Sequence, residues 1–185
     1  DRLQAQQQLQ KEKDLLDSII NSLPGIFYFY DQNGKFIRWN KRFQDVTEYS
    51  SEEIAVMHPL DFFEGDDKLY LEKRIGEVFT KGMSDAEANF VTKSGKRIPY
   101  FFTGARIEVD HEVCLVGMGI DITDRKHAEL EIQDSYQQIR RLTTYLHNVR
   151  EEERAHIARE IHDELGQQLT VIKMDVSWMK KKIAS

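Results

Sequence analysis

Between Glu151 and Leu169 the chain reads EEERAHIAREIHDELGQQL, which brings an imidazole (His162), a carboxylate (Asp163) and a carboxamide (Gln167) within reach of one helical turn. Ile157, Ile161, Leu165 and Leu169, with Ile172 and Val176 beyond, form the single apolar stripe of an amphipathic helix. His162 lies one position off that stripe, at its shoulder, and is expected to be partly exposed beside a packed seam. Its neighbours one turn away are Ala158 and Gly166, both small. A glycine inside a helix costs about 1 kcal/mol relative to alanine, so Gly166 asks for a reason. Keeping the space around the imidazole open to a docking partner is one. Arg159, Asp163 and Gln167 stack on the adjacent row. An unperturbed histidine has a pKa of about 6.5, so near neutral pH one ring nitrogen is free to act as a nucleophile. A neighbouring carboxylate can take the other ring proton and stabilise the imidazolium that forms. The plainer reading is a solvated shoulder histidine, with Asp163 only pairing with Arg159 for about 0.3–0.5 kcal/mol.

The elements that would position these groups follow from periodicity. From Asp124 to Ile183 the chain reads as one nearly continuous helix. Ile132, Ser135, Ile139, Leu142, Leu146 and Val149 keep the heptad register of a two-stranded coiled coil. The register then meets Glu153 and His156, and the stripe resumes from Ile157 in a shifted frame. Such a stutter locally unwinds a coiled coil, and would let small rotations reach His162 as altered exposure. At the other end, Leu9, Leu16 and Leu23 recur at heptad spacing with Ile20 between them, a helical lead-in over 1–23 that Pro24-Gly25 stops; its Gln-rich start is also compatible with disorder.

The pattern changes from Gly25 to Thr123. GIFYFY, the turn Asp31-Gln32-Asn33-Gly34 and KFIRWN predict a β-hairpin. Asn40 to Phe63 breaks into short helical pieces, one of them Ser51–Met57 with Ser51 as cap and Pro59 as stop. Asp66–Lys81 predicts a longer helix with Leu71, Ile75, Val78 and Phe79 on one face and Gly82 as terminator. Strands follow at Ala86–Thr92, Arg97–Ile107 and His111–Ile120. Two strands, short helices and three antiparallel strands make an α+β domain. Phe27, Phe29, Phe36, Trp39, Phe90, Tyr100 and Phe102 are its expected inward residues, either lining a small cavity or simply forming core.

Two resemblances add function to this frame. Glu153, Arg154, Ile157, Ala158, Arg159, Glu160, Ile161, His162, Asp163 and Gln167 match the phosphoacceptor-helix pattern of sensor histidine kinases of the subfamily that pairs with NarL/LuxR-type response regulators. That resemblance implies that His162 accepts the γ-phosphoryl group of ATP, that Asp163 is the acid/base handling the ring proton, and that Gln167 positions water when the helix serves as a phosphatase. The stretch 24–123 resembles a PAS sensor domain in Asn40 and Phe43, EYSSEEI, His58-Pro59, SGKR and the exit run Gly119-Ile120-Asp121-Ile122-Thr123-Asp124-Arg125-Lys126. It implies a five-stranded antiparallel sheet with short helices, flanked here by long coiled-coil helices. Thr123 is expected to cap the exit helix, with Asp124 in its first turn. The domain order is then lead-in 1–23, PAS domain 24–123, coiled-coil linker 124–150, and first helix of a dimerisation and phosphotransfer domain 151–185.

Composition sets the outer bounds. The 185 residues carry a net charge of −6, which argues against a general nucleic-acid binder. One cysteine forbids an internal disulfide and suits a reducing, cytoplasmic compartment. No apolar run approaches the roughly 18 residues of a membrane span, and no secretory signal opens the chain, although the parent has room for an anchor upstream. A chain that begins and ends inside helices reads as part of something larger. ATP and its Mg²⁺ would be held elsewhere: Gly95-Lys96 is followed by Arg97 and makes no P-loop, and the family's asparagine box and second dimerisation helix are absent. By itself the chain is expected to be inactive. No metal site shows ligand spacing. The PAS ligand is unread: Cys114 lacks the flavin-photoreceptor run, Asp66–Lys81 has no haem-ligating histidine, and Trp39-Asn40 could face a flavin. The implied partners are a second copy, a cognate response regulator and the kinase's own ATP-binding domain. The rival readings are a non-enzymatic PAS dimerisation scaffold and the sensor of a diguanylate cyclase; the latter would not carry the His162–Gln167 pattern.

Overall fold

The computed structural model describes residues 2–183, in two units, 1–128 and 129–185. The first unit opens with α1 (Arg2–Ser22), the predicted lead-in. Strands β1 (Ile26–Asp31) and β2 (Phe36–Trp39) form the expected hairpin. After them come α2 (Lys41–Thr47), α3 (Ser51–Ile54), a 3-10 turn at Pro59–Phe62, and α4 (Gly65–Lys81). Strands β3 (Met83–Val91), β4 (Arg97–Val109) and β5 (Glu112–Asp121) complete an antiparallel sheet of order β2-β1-β5-β4-β3. Helix α5 (Thr123–Ile183) follows. Its residues 123–128 belong to the first unit and the remainder to the second.

The core is aromatic. Phe43 and Phe62 meet edge to face with centroids 5.2 Å apart, and Phe90 lies against Phe62 at 5.4 Å, Phe63 at 5.5 Å and Phe102 at 5.7 Å. Offset and edge-on contacts of this kind add about 0.5–1.5 kcal/mol each beyond the area they bury. From α4, Leu71 and Val78 are buried and Ile75 and Phe79 pack against the cluster, the face read from the sequence.

Strand β1 departs from expectation. Ile26, Tyr28 and Tyr30 face the core, while Phe27 and Phe29 stand half-buried on the other face of the sheet. A run of alternating Phe and Tyr gives no polar face to fix the alternation, and a one-residue difference in phase exchanges the two faces. What selects tyrosine for the inside is a polar anchor. The Tyr28 hydroxyl donates to the Thr103 carbonyl of β4 at 2.9 Å, reaching across the intervening strand β5. The ring can cross there because its partner on β5 is Gly117. A Cβ at Gly117 would stand 2.3 Å from the Tyr28 ring and 2.3 Å from the Thr103 carbonyl oxygen.

Several element ends also differ from the sequence reading. The α3 cap is Ser50 rather than Ser51; its hydroxyl accepts from Glu53 N–H while the Glu53 carboxylate accepts from Ser50 N–H, a reciprocal capping box. Pro59 begins a 3-10 turn instead of ending a helix, and His58 caps that turn, its Nδ1 accepting from Leu60 N–H at 3.2 Å. Thr123 is the first residue of α5, and its N–H and hydroxyl both donate to the Asp121 carboxylate, at 2.8 and 2.6 Å. A charged acceptor two residues upstream takes the capping role from the hydroxyl. Asp124 lies in the first turn as expected. Among the described residues no helix is long and apolar enough to cross a membrane.

Two outcomes test this packing. Gly117→Ala should lower the unfolding free energy by about 1–3 kcal/mol through overpacking, read as a lower denaturant midpoint at unchanged slope. Burial raises the Tyr28 and Tyr30 phenols well above the ordinary tyrosine value and pushes Tyr100 up to about 12. The folded state therefore keeps protons that the unfolded chain loses near pH 10, and stability should fall as pH rises above about 10. In an alkaline absorbance titration Tyr28 and Tyr30, of the chain's 7 tyrosines, should ionise only as the chain unfolds, and Tyr100 well above the ordinary tyrosine range.

Candidate functional site

The phosphoacceptor candidates sit on α5, in the second unit. The helix forms because the segment lacks proline and is rich in Glu, Arg, Ala, Leu and Gln, all strong helix formers. His162, Asp163 and Gln167 are all exposed, so the imidazole is open to solvent on its own chain. Apart from its chain neighbours and the helix's own backbone, nothing comes within 4 Å of the place a Cβ would take at Gly166. The Thr170 hydroxyl donates to the Gly166 carbonyl at 2.8 Å. Arg159 Nε–H donates to the Ala155 carbonyl at 3.2 Å, and among the described residues it forms no ion pair with Asp163. One turn earlier, His156 Nε2 and Glu160 Oε1 stand 3.5 Å apart.

The seam that should flank the imidazole is not packed within one chain: Ile161 and Leu165 are 52% and 53% exposed. The heptad positions Ile132, Ile139, Leu142, Leu146 and Val149 are exposed as well. An apolar stripe of this length in water calls for a partner surface.

In the first unit a cavity of about 60 Å³ lies between the sheet and α4, lined among others by Tyr28, Tyr30, Phe36, Phe62, Phe90 and Phe102. Of the expected inward residues, Phe36, Phe90 and Phe102 line it, Tyr100 and Trp39 belong to the surrounding core, and Phe27 and Phe29 do not face it. Among the described residues no buried side-chain polar atom lacks a hydrogen-bond partner, and no group of three or more His, Cys, Asp or Glu could hold a metal ion.

Asn40 is fully committed to main-chain groups. Its Oδ1 accepts from the backbone N–H groups of Phe27 and Phe43, each at 3.0 Å. Its Nδ2 donates to the carbonyls of Gly25 at 2.9 Å and Ile20 at 3.3 Å. One buried carboxamide thereby joins the end of α1, the start of β1 and the N-terminus of α2. The asparagine-before-helix pattern marks the cap, but nothing in the sequence marks the other three bonds.

With this geometry in view the comparisons are specific. A PAS domain family model matches residues 24–124, and a histidine kinase family model matches residues 153–185. The PAS domain of an HTR-like protein from Haloarcula marismortui is 15% identical with a TM-score of 0.58, covering 64% of this chain and 98% of that one. A PAS domain from Colwellia psychrerythraea is 19% identical with a TM-score of 0.54, covering 63% and 98%. A PAS domain from a two-component sensor histidine kinase is 17% identical with a TM-score of 0.53, covering 60% and 97%. At these identities the structures show the fold alone. The search of curated proteins gave no match. The chain belongs to the PAS domain family, and its segment 153–185 matches the histidine kinase family model.

Replacing Asn40 by alanine removes a cap and strands buried backbone groups. It should cost at least about 2 kcal/mol, measured by denaturant unfolding, with exchange protection lost first where α1 meets β1.

Proposed function

We propose that the chain is the sensor and phosphoacceptor part of a histidine kinase that works as a parallel homodimer. The observation that carries the reading is His162 standing exposed beside Asp163, inside the segment that matches the histidine kinase family. A free His162 ring nitrogen attacks the γ-phosphorus of ATP. The bond from that phosphorus to the bridging oxygen breaks, ADP leaves, and Asp163 takes the other ring proton so that the positive charge does not build up. The phosphoryl group then passes to an aspartate of the cognate response regulator. In the opposing phosphatase reaction Gln167, one turn from His162, orients water. ATP and Mg²⁺ are brought by a catalytic domain outside these residues, and without it the chain is inactive. The exposed stripes of α5 support the dimer, since a second copy would bury them. In this reading 1–23 is a coiled-coil lead-in, 24–123 the sensor, 124–150 the linker and 151–185 the phosphotransfer helix. Dependence on ATP puts the reaction in the cytoplasm.

The test is to incubate the purified chain with the kinase's catalytic domain and γ-labelled ATP. Acid-labile, base-stable label should appear and be abolished in His162→Ala. Asp163→Asn should lower the labelling rate by about 10²–10⁴-fold, the range for a general acid–base group. Gln167→Ala should label normally yet slow dephosphorylation of the regulator. Label that persists in His162→Ala overturns the proposal, and a dimer that takes no label at all leaves the chain a scaffold.

A further inference from the structure

Strand β3 is the edge of the sheet, paired among the described residues with β4 alone. Ala86, Ala88 and Phe90 point into the core. The alternate residues Asp85, Glu87 and Asn89 therefore share the opposite side, and all three are used to hold helices. Asp85 is gripped by Arg74 of α4, which donates from Nε to its carbonyl at 2.5 Å and from Nη2 to its carboxylate at 3.0 Å. Arg74 Nη1 also reaches Glu77 at 2.6 Å, and Ser84 donates to the same carboxylate at 3.3 Å. Asn89 donates from its backbone N–H and its Nδ2 to Asp67 near the start of α4, at 3.0 and 2.9 Å. The residue between them turns to a different helix. Glu87 pairs with Arg125 through one carboxylate oxygen and with Lys126, at 2.7 Å, through the other. Both cations lie in the first turns of α5.

The α4 end of this arrangement borders the cavity. Arg74, Ser84 and Asp85 line it together with Leu71, Ile75 and Val78 of α4. Hydrogen bonds from Lys126 and then Arg125 hold the Glu87 carboxyl below the usual carboxylate range, so the strap is charged at neutral pH. An edge strand has one ladder instead of two to resist displacement, so a shift of α4 has a ready path along β3 to the start of α5.

We propose that β3 is the mechanical relay of the sensor: Asp85 and Asn89 fasten it to the cavity wall α4, and Glu87 fastens it to Arg125 and Lys126 at the start of α5. This deepens the sensor reading above and rests on it for its purpose, but its test does not depend on phosphorylation. Hydrogen-exchange mass spectrometry of the full chain should be run on Arg74→Gln, Glu87→Gln and the double variant. Glu87→Gln alone should raise exchange in residues 123–128 about two- to fivefold, as expected for loss of exposed ion pairs. Arg74→Gln, on another element, should raise exchange in the same residues. In the Glu87→Gln background the Arg74→Gln effect on α5 should vanish while its effect on α4 and β3 remains. Additive effects at 123–128, or an Arg74→Gln change confined to α4 and β3, overturn the relay. Should Arg74→Gln unfold the domain, Asp85→Asn replaces it with the same two outcomes. Failure of His162 to take label leaves these exchange results untouched, so the two readings fail separately.

Discussion

The first unit hangs on a single carboxamide. Asn40 is 1% exposed, and its two acceptor and two donor positions are all taken by main-chain groups. A buried amide left unpaired would cost more than most single contacts return, so the site holds together only when all its partners arrive. Those partners come from the end of α1, the start of β1 and the first turn of α2. Arg38 pairing with Asp17, and Asn21 accepting from Lys41 N–H at 2.8 Å, reinforce the same junction from the surface. Around this polar knot the aromatic cluster is free to be non-directional, because the register of β1 against β2 and α2 is already set.

The core then serves two demands. Its edge-to-face rings fill most of the space under the sheet, yet leave a small cavity against α4 rather than a closed interior. The helix that walls this cavity is held at the strand edge by charged and polar groups, not by core packing alone. Polar fastenings of exposed groups are individually weak and exchange readily with water. The β1–β5 and β4–β5 ladders behind it run without a register shift.

Much of this was legible from residue order, for reasons that also explain the exceptions. Hairpin turns, the α4 stripe, Gly82 as a terminator and the long α5 all depend on local pattern. The His162–Gln167 run, too, is local: its residues lie within two turns of one helix, so the sequence alone places them together. The facing of β1 was not legible, because Phe27, Tyr28, Phe29 and Tyr30 carry no contrast, and the choice was made by Thr103 and Gly117 far along the chain. Ser50 and Ser51 are chemically equal candidates for a cap, and only the reciprocal bond with Glu53 separates them. The strap through Glu87 joins residues whose proximity depends on sheet order, which no periodicity encodes.

One turn shows how the fold constrains its own variation. Gly34 adopts φ +80, and the His58 imidazole lies so close that a Cβ there would stand 2.2 Å from its ring atoms. The β1–β2 turn and the 3-10 segment carrying Phe62 are therefore in direct contact through a residue with no side chain. A side chain at position 34 would have to displace the His58 ring, whose Nδ1 caps the 3-10 turn that carries Phe62. The two turns are in this way coupled by steric contact alone.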